Sequence, residues 1–578
     1  MALEFARAMS DRSKNSGRRG RGGRGRRSQS VAAPLLPRQG PVTWRVSGLR
    51  QEVGEPDEEV FRRAAEVLGA GPSDALNLAF AKRSVDARGR GSDLHLVAQV
   101  DVTLDGHATP KKLRRAVESG IVREAPPQES FRVEGGRRGR VVVIGAGPGG
   151  FFAALAAAES GAEVILVERG AAIERRGRKV VAFHRGAEPD PESNLLFGDG
   201  GAGTYSDGKL YTRTSDTLEG AVLDALVEAG APADIAYDAR AHIGTDKLHR
   251  ILPKLRARLE AAGVKFLYDT RVSGLDVVES AHGRAVRAVR LAGGEDLPVD
   301  ALIAAIGHSA RDTWAAFAED GVLLEAKPFQ LGVRIEHPQE LVTRGRYGSG
   351  PMAGALGPAS YNLQSKGTPP AHSFCMCPGG RIVASVNEPG RLCTNGMSNS
   401  KHSSRWANAA VVTTLTPEDF ATFGFHGPLA GVELQRALEE RFFVAGGKDY
   451  SAPAQRAHDF LAGEPTGGDL ATSYGFGAVP GRIDQLLPDG VRQALAEALV
   501  RFERTIPGFA GPEGLLVGIE TRSSGPVRMP RDRDTRLAAG FSNLFPVGEG
   551  AGYAGGIMSA AIDGARSAQA AVLGLSRS

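Results

Sequence analysis

Two rhythms of apolar residues divide the chain. Between residues 42 and 130 they come in short, partly alternating stretches. "VTWRVSGL" reads as a strand and "DEEVFRRAAEVLG" as a helix with an acidic start. "ALNLAFAKRSVDAR" and "DLHLVAQVDVTL" read as strands, and "PKKLRRAVESG" as a second helix. This strand, helix, strand, strand, helix order predicts a small α+β module of ferredoxin-like type over 42–130. A linker, "PPQESFRVEGGRRG", follows it. From 138 onward the rhythm is that of an α/β fold. Uninterrupted apolar runs, Val141–Ile144 and "AEVILV" from 162, predict buried parallel strands. The Ala-rich stretch Phe151–Ser160 between them predicts a helix. Further helices are expected at 218–230 and 245–263, then a strand in "VKFLYDTRV", a hairpin in 284–300 and an apolar strand in "ALIAAIGHSARDT". Residues 321–520 are less regular and are read as an inserted substrate or cap domain. The α/β pattern returns over 521–578.

Between the first α/β strand and its helix stands "GAGPGG". Gly145, Gly147 and Gly150 have the spacing G-x-G-x-x-G, with Pro148 and Gly149 inside it. In this strand–turn–helix context each glycine has a task. Gly145 permits the tight turn. Gly147 admits a pyrophosphate to the bare backbone, and Gly150 lets the helix pack close to the strand. The helix N-terminus offers N–H groups and a positive dipole end to phosphates. The next strand ends in Glu168, beside Arg169 and 18 residues past Gly150. There a carboxylate accepts hydrogen bonds from ribose hydroxyls, and it would repel a 2′-phosphate. The pattern predicts a Rossmann-like dinucleotide site for FAD or NAD rather than NADP.

Charge changes the picture only at the N-terminus. The 578 residues carry a net +5, but residues 1–38 hold ten basic and two acidic groups, while the other 540 hold 61 and 64. The first 40 residues therefore form a basic, Arg- and Gly-rich tail expected to be disordered. Nucleic acid or an anionic lipid would be met only through that tail, and organelle import through it is an alternative reading. The chain has no apolar run long enough to span a bilayer, so no membrane is expected. The three cysteines, Cys375, Cys377 and Cys393, make no disulfide framework, which fits a reducing, cytoplasmic location.

A second strand, Gly-rich turn and helix near the C-terminus, "NLFPVGEGAGYAGGIMSAAIDGARSA", decides between the cofactors. An NAD-only dehydrogenase has no use for it, whereas FAD has a ribityl and flavin end to be held. On these motifs the chain resembles flavoproteins with glutathione-reductase-like FAD domains. The resemblance narrows with "NLLFGDGGAGTYSDGKLYTR" and "SFCMCPGGRIVAS" to uncharacterised FAD-dependent dehydrogenases with an N-terminal α+β module. It implies that Gly548-Glu549 stands for the late "GD" motif, with Glu in place of Asp. It implies that Gly307 ends the "AAIGHSA" strand, with Ile306 in place of Thr, and that Val272 meets the adenine through its backbone. It also implies that the helix starting near Gly556 and Ile557 aims its N-terminus at the pyrimidine edge of the flavin.

The chemistry itself is less sharply marked. Gly200, Gly201 and Gly203 would let backbone lie against a flat ring, and Lys209 is placed to meet the flavin or an acidic substrate. Cys375 and Cys377 form C-x-C, which reads as a redox pair or, more simply, as packing cysteines. No second Cys/His pair sits at ligand spacing beside this one, so no metal is expected. Arg522 and Arg528 read equally as a carboxylate clamp and as structural ion pairs. His308 reads as an acid–base group or as a satisfied polar side chain at a strand end. No second nucleotide-binding motif appears, so NAD(P)H is expected to act only transiently, or an electron-transfer partner to replace it. The function expected is an FAD-dependent oxidoreductase acting on a small molecule. An RNA-acting flavoprotein and a non-catalytic flavin scaffold are the alternatives.

Overall fold

The strand Arg140–Ile144 lies at the middle of a five-stranded parallel sheet. The sheet order is Leu544–Pro546, Ala301–Ala304, Arg140–Ile144, Glu163–Val167, Lys265–Leu267. Val141, Val142 and Val143 are wholly buried, as a strand covered on both faces must be. Val141 and Val143 join the core formed by the helices Pro148–Glu159 and Ile557–Leu575. Val142 and Ile144 join a second core around Trp314 and Phe317. This computed structural model describes residues 40–86, 94–105, 111–136, 139–210, 216–280, 283–349, 354 and 356–575. The basic segment 1–38 and the readings attached to it lie outside the described residues.

The two helices of the first core cross at a point where neither has a side chain. A Cβ on Gly564 would run into the carbonyl oxygen of Gly149, and a Cβ on Gly149 would lie 3.3 Å from the carbonyl of Ala560. The C-terminal helix is thereby held against the glycine turn although some 400 residues separate them in sequence. Strand Leu544–Pro546 completes the sheet beside Ala301–Ala304.

The intervening chain leaves through Glu325–Ala326 and returns through Val527–Arg528, which pair antiparallel as a short ribbon. Between them the irregular-looking sequence forms a seven-stranded sheet. Its order is Gln364–Ser365, Ala371–Cys377, Trp406–Leu415, Phe329–Pro338, Leu515–Glu520, Ala452–Arg456, Ala478–Pro480. Only the last pair is parallel. Phe329, Leu331, Val333 and Ile335 alternate into its main core, where the helices Ala430–Ala445 and Asp489–Glu503 also contribute.

Residues 41–124 form a four-stranded antiparallel sheet in the order Ala75–Asp86, His95–Asp105, Pro41–Glu52, Val122–Glu124. Helices Asp57–Leu68 and Lys111–Glu118 share its core. Its outer strand docks on the nucleotide fold: Arg83 N donates to Tyr237 O (2.6 Å), Ala239 N donates to Arg83 O (2.8 Å), and the Arg83 guanidinium lies over the Phe80 and Tyr237 rings.

The Gly149–Gly564 crossing generates a prediction. Gly564→Ala overpacks the contact against backbone and should cost about 1–3 kcal/mol, seen as a lower melting temperature. Gly574→Ala, in the same helix with open space around it, should leave the melting temperature unchanged or slightly raised. Equal melting of the two variants would show that the crossing is loose.

Candidate functional site

The glycine turn is a bare cradle. Gly145 has φ +99°, and its N–H donates to Val167 O (2.8 Å), so the chain reverses tightly off the strand. A Cβ on Gly150 would strike the carbonyl of Gly145, so this glycine serves helix-to-turn packing and stays outside the cavity lining. Gly147 caps the helix without a side-chain hydrogen bond, and Pro148 takes its first position. The first N–H groups of that helix therefore lack intrahelical partners and face the cavity lined by Gly147, Pro148 and Gly149.

Glu168 is buried at the end of the next strand, and three loops converge on its carboxylate. Oε2 accepts from Ala146 N (2.7 Å), and Oε1 accepts from Gly170 N (2.8 Å) and Gly198 N (2.9 Å). Through Gly198 the glycine loop of 198–203 is drawn to the turn. Gly200 N donates to Ala146 O (2.8 Å), and a Cβ on Gly201 would come 2.8 Å from Gly147 Cα. Gly203 faces Ile557. Gly201 and Gly203 line the cavity, while Gly200 packs away from it, toward Leu252. Arg169 also lines the cavity, lying over the Phe197 ring and pairing with Glu192 and Asp312 (both 2.8 Å).

Sequence reasoning missed the residue that fixes this loop. Arg176 is fully buried and donates to the carbonyls of Asn194 (2.9 Å), Gly198 (3.3 Å) and Asp199 (2.7 Å). In sequence it is one of four basic residues in "ERRGRK". The available signal was its register, because it shares the buried face of its helix with Ile173, Val180 and Phe183.

The C-terminal motif closes the cradle. Gly548, at φ +75°, donates its N–H to Asp563 (2.8 Å), and Arg531 pairs with Asp563 (2.6 Å). Glu549 lines the cavity and accepts from Gly525 N (2.8 Å); burial pushes its carboxyl up. Gly556 and Ile557 begin the second helix, so two helix N-termini meet one cavity. Val272 and Gly307 (φ +74°) complete this wall.

The opposite wall comes from the seven-stranded sheet, through Gln330, His372, Cys375 and Glu520, and from Asn395 on a separate two-stranded sheet. The volume enclosed is about 760 Å³, within the range of roughly 300–1,000 Å³ usual for cofactor and ligand sites. Lys209 reaches across to this wall. Its ammonium lies 2.9 Å from Asp207 Oδ2 and near the sulfurs of Cys375 (3.9 Å) and Cys377 (4.0 Å). Although burial opposes it, the Lys209 cation, with His402 and Ser398, holds the Asp207 carboxyl well below the usual range. Asp207, His242 and His402 offer ligand atoms within 4.8 Å of one another, a grouping the sequence spacing did not reveal. The Lys209 ammonium already neutralises that carboxylate.

The remaining candidates divide. Arg522 is buried and lines the cavity, but its guanidinium is held by Glu439 (2.8 Å), which also binds Arg311 (2.8 Å). This is the ion-pair alternative of the two readings. Arg528 is exposed and does not reach the cavity. His308 lines it with Nδ1 2.8 Å from Ser309 Oγ. Burial, with the Arg522 and Arg311 cations, pushes its imidazole down to about 4, so it is neutral at pH 7. Among the described residues no helix is long and apolar enough to cross a membrane.

A bare glycine cradle, a second helix N-terminus and, between them, a buried carboxylate whose oxygens accept from three backbone N–H groups rather than standing free for a ribose make up a site that suits a long dinucleotide. Comparison with known proteins identifies it further. Residues 140–293 match the model of an FAD binding domain, and residues 328–523 that of the C-terminal domain of FAD-dependent proteins. A protein of Clostridium beijerinckii, itself described only as uncharacterized, is 36% identical over 533 residues, covering 91% of this chain and 98% of its own length. The chain belongs to this family of FAD-dependent proteins. Its cofactor is FAD, and it is an FAD-dependent oxidoreductase. Similar solved structures include CtdE in complex with FAD (11% identity, TM-score 0.28, 75% of this chain and 83% of that one). Another is a mutant 2-methyl-3-hydroxypyridine-5-carboxylic acid oxygenase (13%, 0.32, 75% and 82%). At such similarity neither bears on the reaction.

Two predictions follow from this geometry. Glu168→Ala strands three buried N–H groups, each worth about 1–3 kcal/mol when left unpaired. It should lose FAD on dialysis and melt lower; full flavin retention would show that the carboxylate is dispensable. The second concerns His308, which titrates near 4 in the fold but near 6.5 in an unfolded chain. Between these values the unfolded state binds more protons, so this group's contribution is intact above about pH 6.5 and is lost as pH falls toward 4. The stability difference between wild type and His308→Asn should therefore shrink over that window. A difference independent of pH in melts at matched flavin content would refute the assignment.

Proposed function

We propose that this chain transfers hydride between a small polar substrate and FAD. Bound FAD supplies a two-electron centre at flavin N5. The observation that carries the reading is the single cavity with two unlike walls. One wall, of glycines and two helix N-termini, suits phosphates and the electron-rich edge of a flavin. The other presents Gln330, His372 and Asn395, hydrogen-bonding groups that can orient a substrate. His308, held neutral, can accept a proton from a substrate oxygen or nitrogen at that boundary, or offer it a hydrogen bond. Gly147 fits the cofactor because its backbone is nearly open, with Gly201 Cα at 3.8 Å as the nearest atom to a Cβ placed there.

The finer parts of the reading belong to the same proposal. The two-motif FAD fold is of glutathione-reductase-like type, with residues 321–520 as an inserted substrate domain. The N-terminal unit is ferredoxin-like, and the chain acts in the cytoplasm. Among the described residues there is no second strand–glycine turn–helix for a nicotinamide nucleotide, so NAD(P)H reacts weakly and a dedicated substrate or electron-transfer partner reacts fast.

The test is anaerobic stopped-flow reduction of the yellow holoprotein by NADH, NADPH and a panel of polar metabolites. We expect slow, poorly saturating reduction by either nicotinamide and faster reduction by one metabolite. Saturation by NADH or NADPH at micromolar concentration would overturn the expectation, as would a flavin that no reductant bleaches.

A further inference from the structure

Cys375 and Cys377 are left without a task by hydride transfer, yet the structure builds an unusual setting for them. The strand Ala371–Cys377 pairs Phe374 with Ala410 and then Cys377 with Asn408, so Cys375 and Met376 bulge opposite a single residue. Cys375 stands at φ +45°, a left-handed conformation costly for a non-glycine residue and kept only where surroundings enforce it. They do so here. The Cys375 carbonyl accepts from Arg334 Nη1 (3.0 Å) and from the Cys377 thiol (3.3 Å), and Arg334 is fully buried against Glu520. The bulge leaves Cys375 half-buried at the cavity wall and Cys377 buried behind it. Lys209, 166 residues away in sequence, brings its ammonium to 3.9 and 4.0 Å from the two sulfurs. Cysteines that only fill space need neither a strained bulge nor a shared cation.

We propose that Cys375 and Cys377 form a thiol–disulfide exchange pair opening on the cavity, with Cys375 as the attacking sulfur and a disulfide as its substrate. The adjoining Cys377 thiol and the Lys209 and Arg334 cations hold the Cys375 thiol well below the ordinary range. Its link to Cys375 and its own burial push Cys377 up. The low-pKa sulfur is thus the one at the cavity wall and the protonated sulfur waits behind it, as attack and resolution require. In the first step the Cys375 thiolate attacks one sulfur of the substrate disulfide. That S–S bond breaks, and one thiolate leaves and takes a proton from solvent. In the second step Cys377 gives its proton to the departing group and attacks the Cys375 sulfur, releasing the second thiol. Two electrons pass from the cysteine pair to the substrate, which leaves as two thiols. Lys209 is a positioning residue that stabilises the thiolate. This inference goes beyond the hydride-transfer reading and stands or falls separately from it.

The test uses the full-length, FAD-loaded protein, reduced, desalted and mixed with 2,2′-dipyridyl disulfide at neutral pH. Released pyridine-2-thione is followed by absorbance, and peptides are read by mass spectrometry. The wild type should release two equivalents in its rapid phase and keep no probe, with Cys375 linked to Cys377. Cys377→Ser should release one equivalent and keep the probe on Cys375. Lys209→Met should slow the rapid phase about tenfold and move its pH midpoint upward, with Lys209→Arg restoring most of both. Flavin absorbance verifies that each variant is folded. Buried Cys393, whose thiol burial pushes up, is the slow internal reference. A wild type that keeps the probe after one equivalent, or a Cys375 no faster than Cys393, would overturn the proposal.

Discussion

One carboxylate organises the nucleotide end of this molecule. Glu168 takes N–H bonds from Ala146 in the glycine turn, Gly170 after its own strand, and Gly198 at the head of the glycine loop. These three donors stand 22, 2 and 30 residues from Glu168 on separate turns of the chain. A buried charge must be satisfied by hydrogen bonds, so burying Glu168 selects the arrangement in which all three donors point inward. The remaining features depend on it. Gly201 can lie against Gly147 only with the loop drawn in, and Lys209, a few residues further on, reaches the second sheet only from there.

Buried cations repeat this logic elsewhere. Arg176 ties down the glycine loop by its carbonyls, Arg334 ties the Cys375 bulge, and Arg311 with Arg522 encloses Glu439. Against the cost of its burial, the two guanidinium groups hold the Glu439 carboxyl well below the usual range. Such pairs seldom add net stability over an apolar core, but removing one partner is expensive, so they fix geometry. Each sits at a wall of the cavity or directly behind it.

Legibility of the sequence followed the range of the interactions. The strand at 141–144, the glycine turn and the final helix are written locally, by an unbroken apolar run, by glycine spacing and by an Ala-rich segment. The seven-stranded sheet was not legible. Its strands pair across long connections, as Phe329–Pro338 does with Leu515–Glu520, and two of them have only two or three residues. "SFCMC" gave no sign of its bulge, because the bulge is set by Arg334 from another strand. Arg522 admitted two readings until Glu439, in a helix 83 residues earlier, was seen beside it. Arg176 was hidden by its basic neighbours, although its register on a buried helix face was in plain view.

The two walls of the cavity come from two sheets joined by the short ribbon of Glu325–Ala326 and Val527–Arg528, and a ribbon so small does not by itself fix their spacing. The spacing is set by polar ties around the glycine loop. Ser398 on the second unit donates to Asp207, Ser400 N donates to Asp246 (2.7 Å), and Lys209 spans from Asp207 to the Cys375 bulge. The loop that cradles one side of the cavity therefore also positions the cysteines on the other. A change in the charge of the sulfurs acts directly on the Lys209 ammonium, and through Asp207 on the loop that begins at the Glu168 carboxylate. The cofactor end and the cysteine end of the cavity are thus held by one loop, through Gly198 on Glu168 and through Asp207 and Lys209 on the bulge.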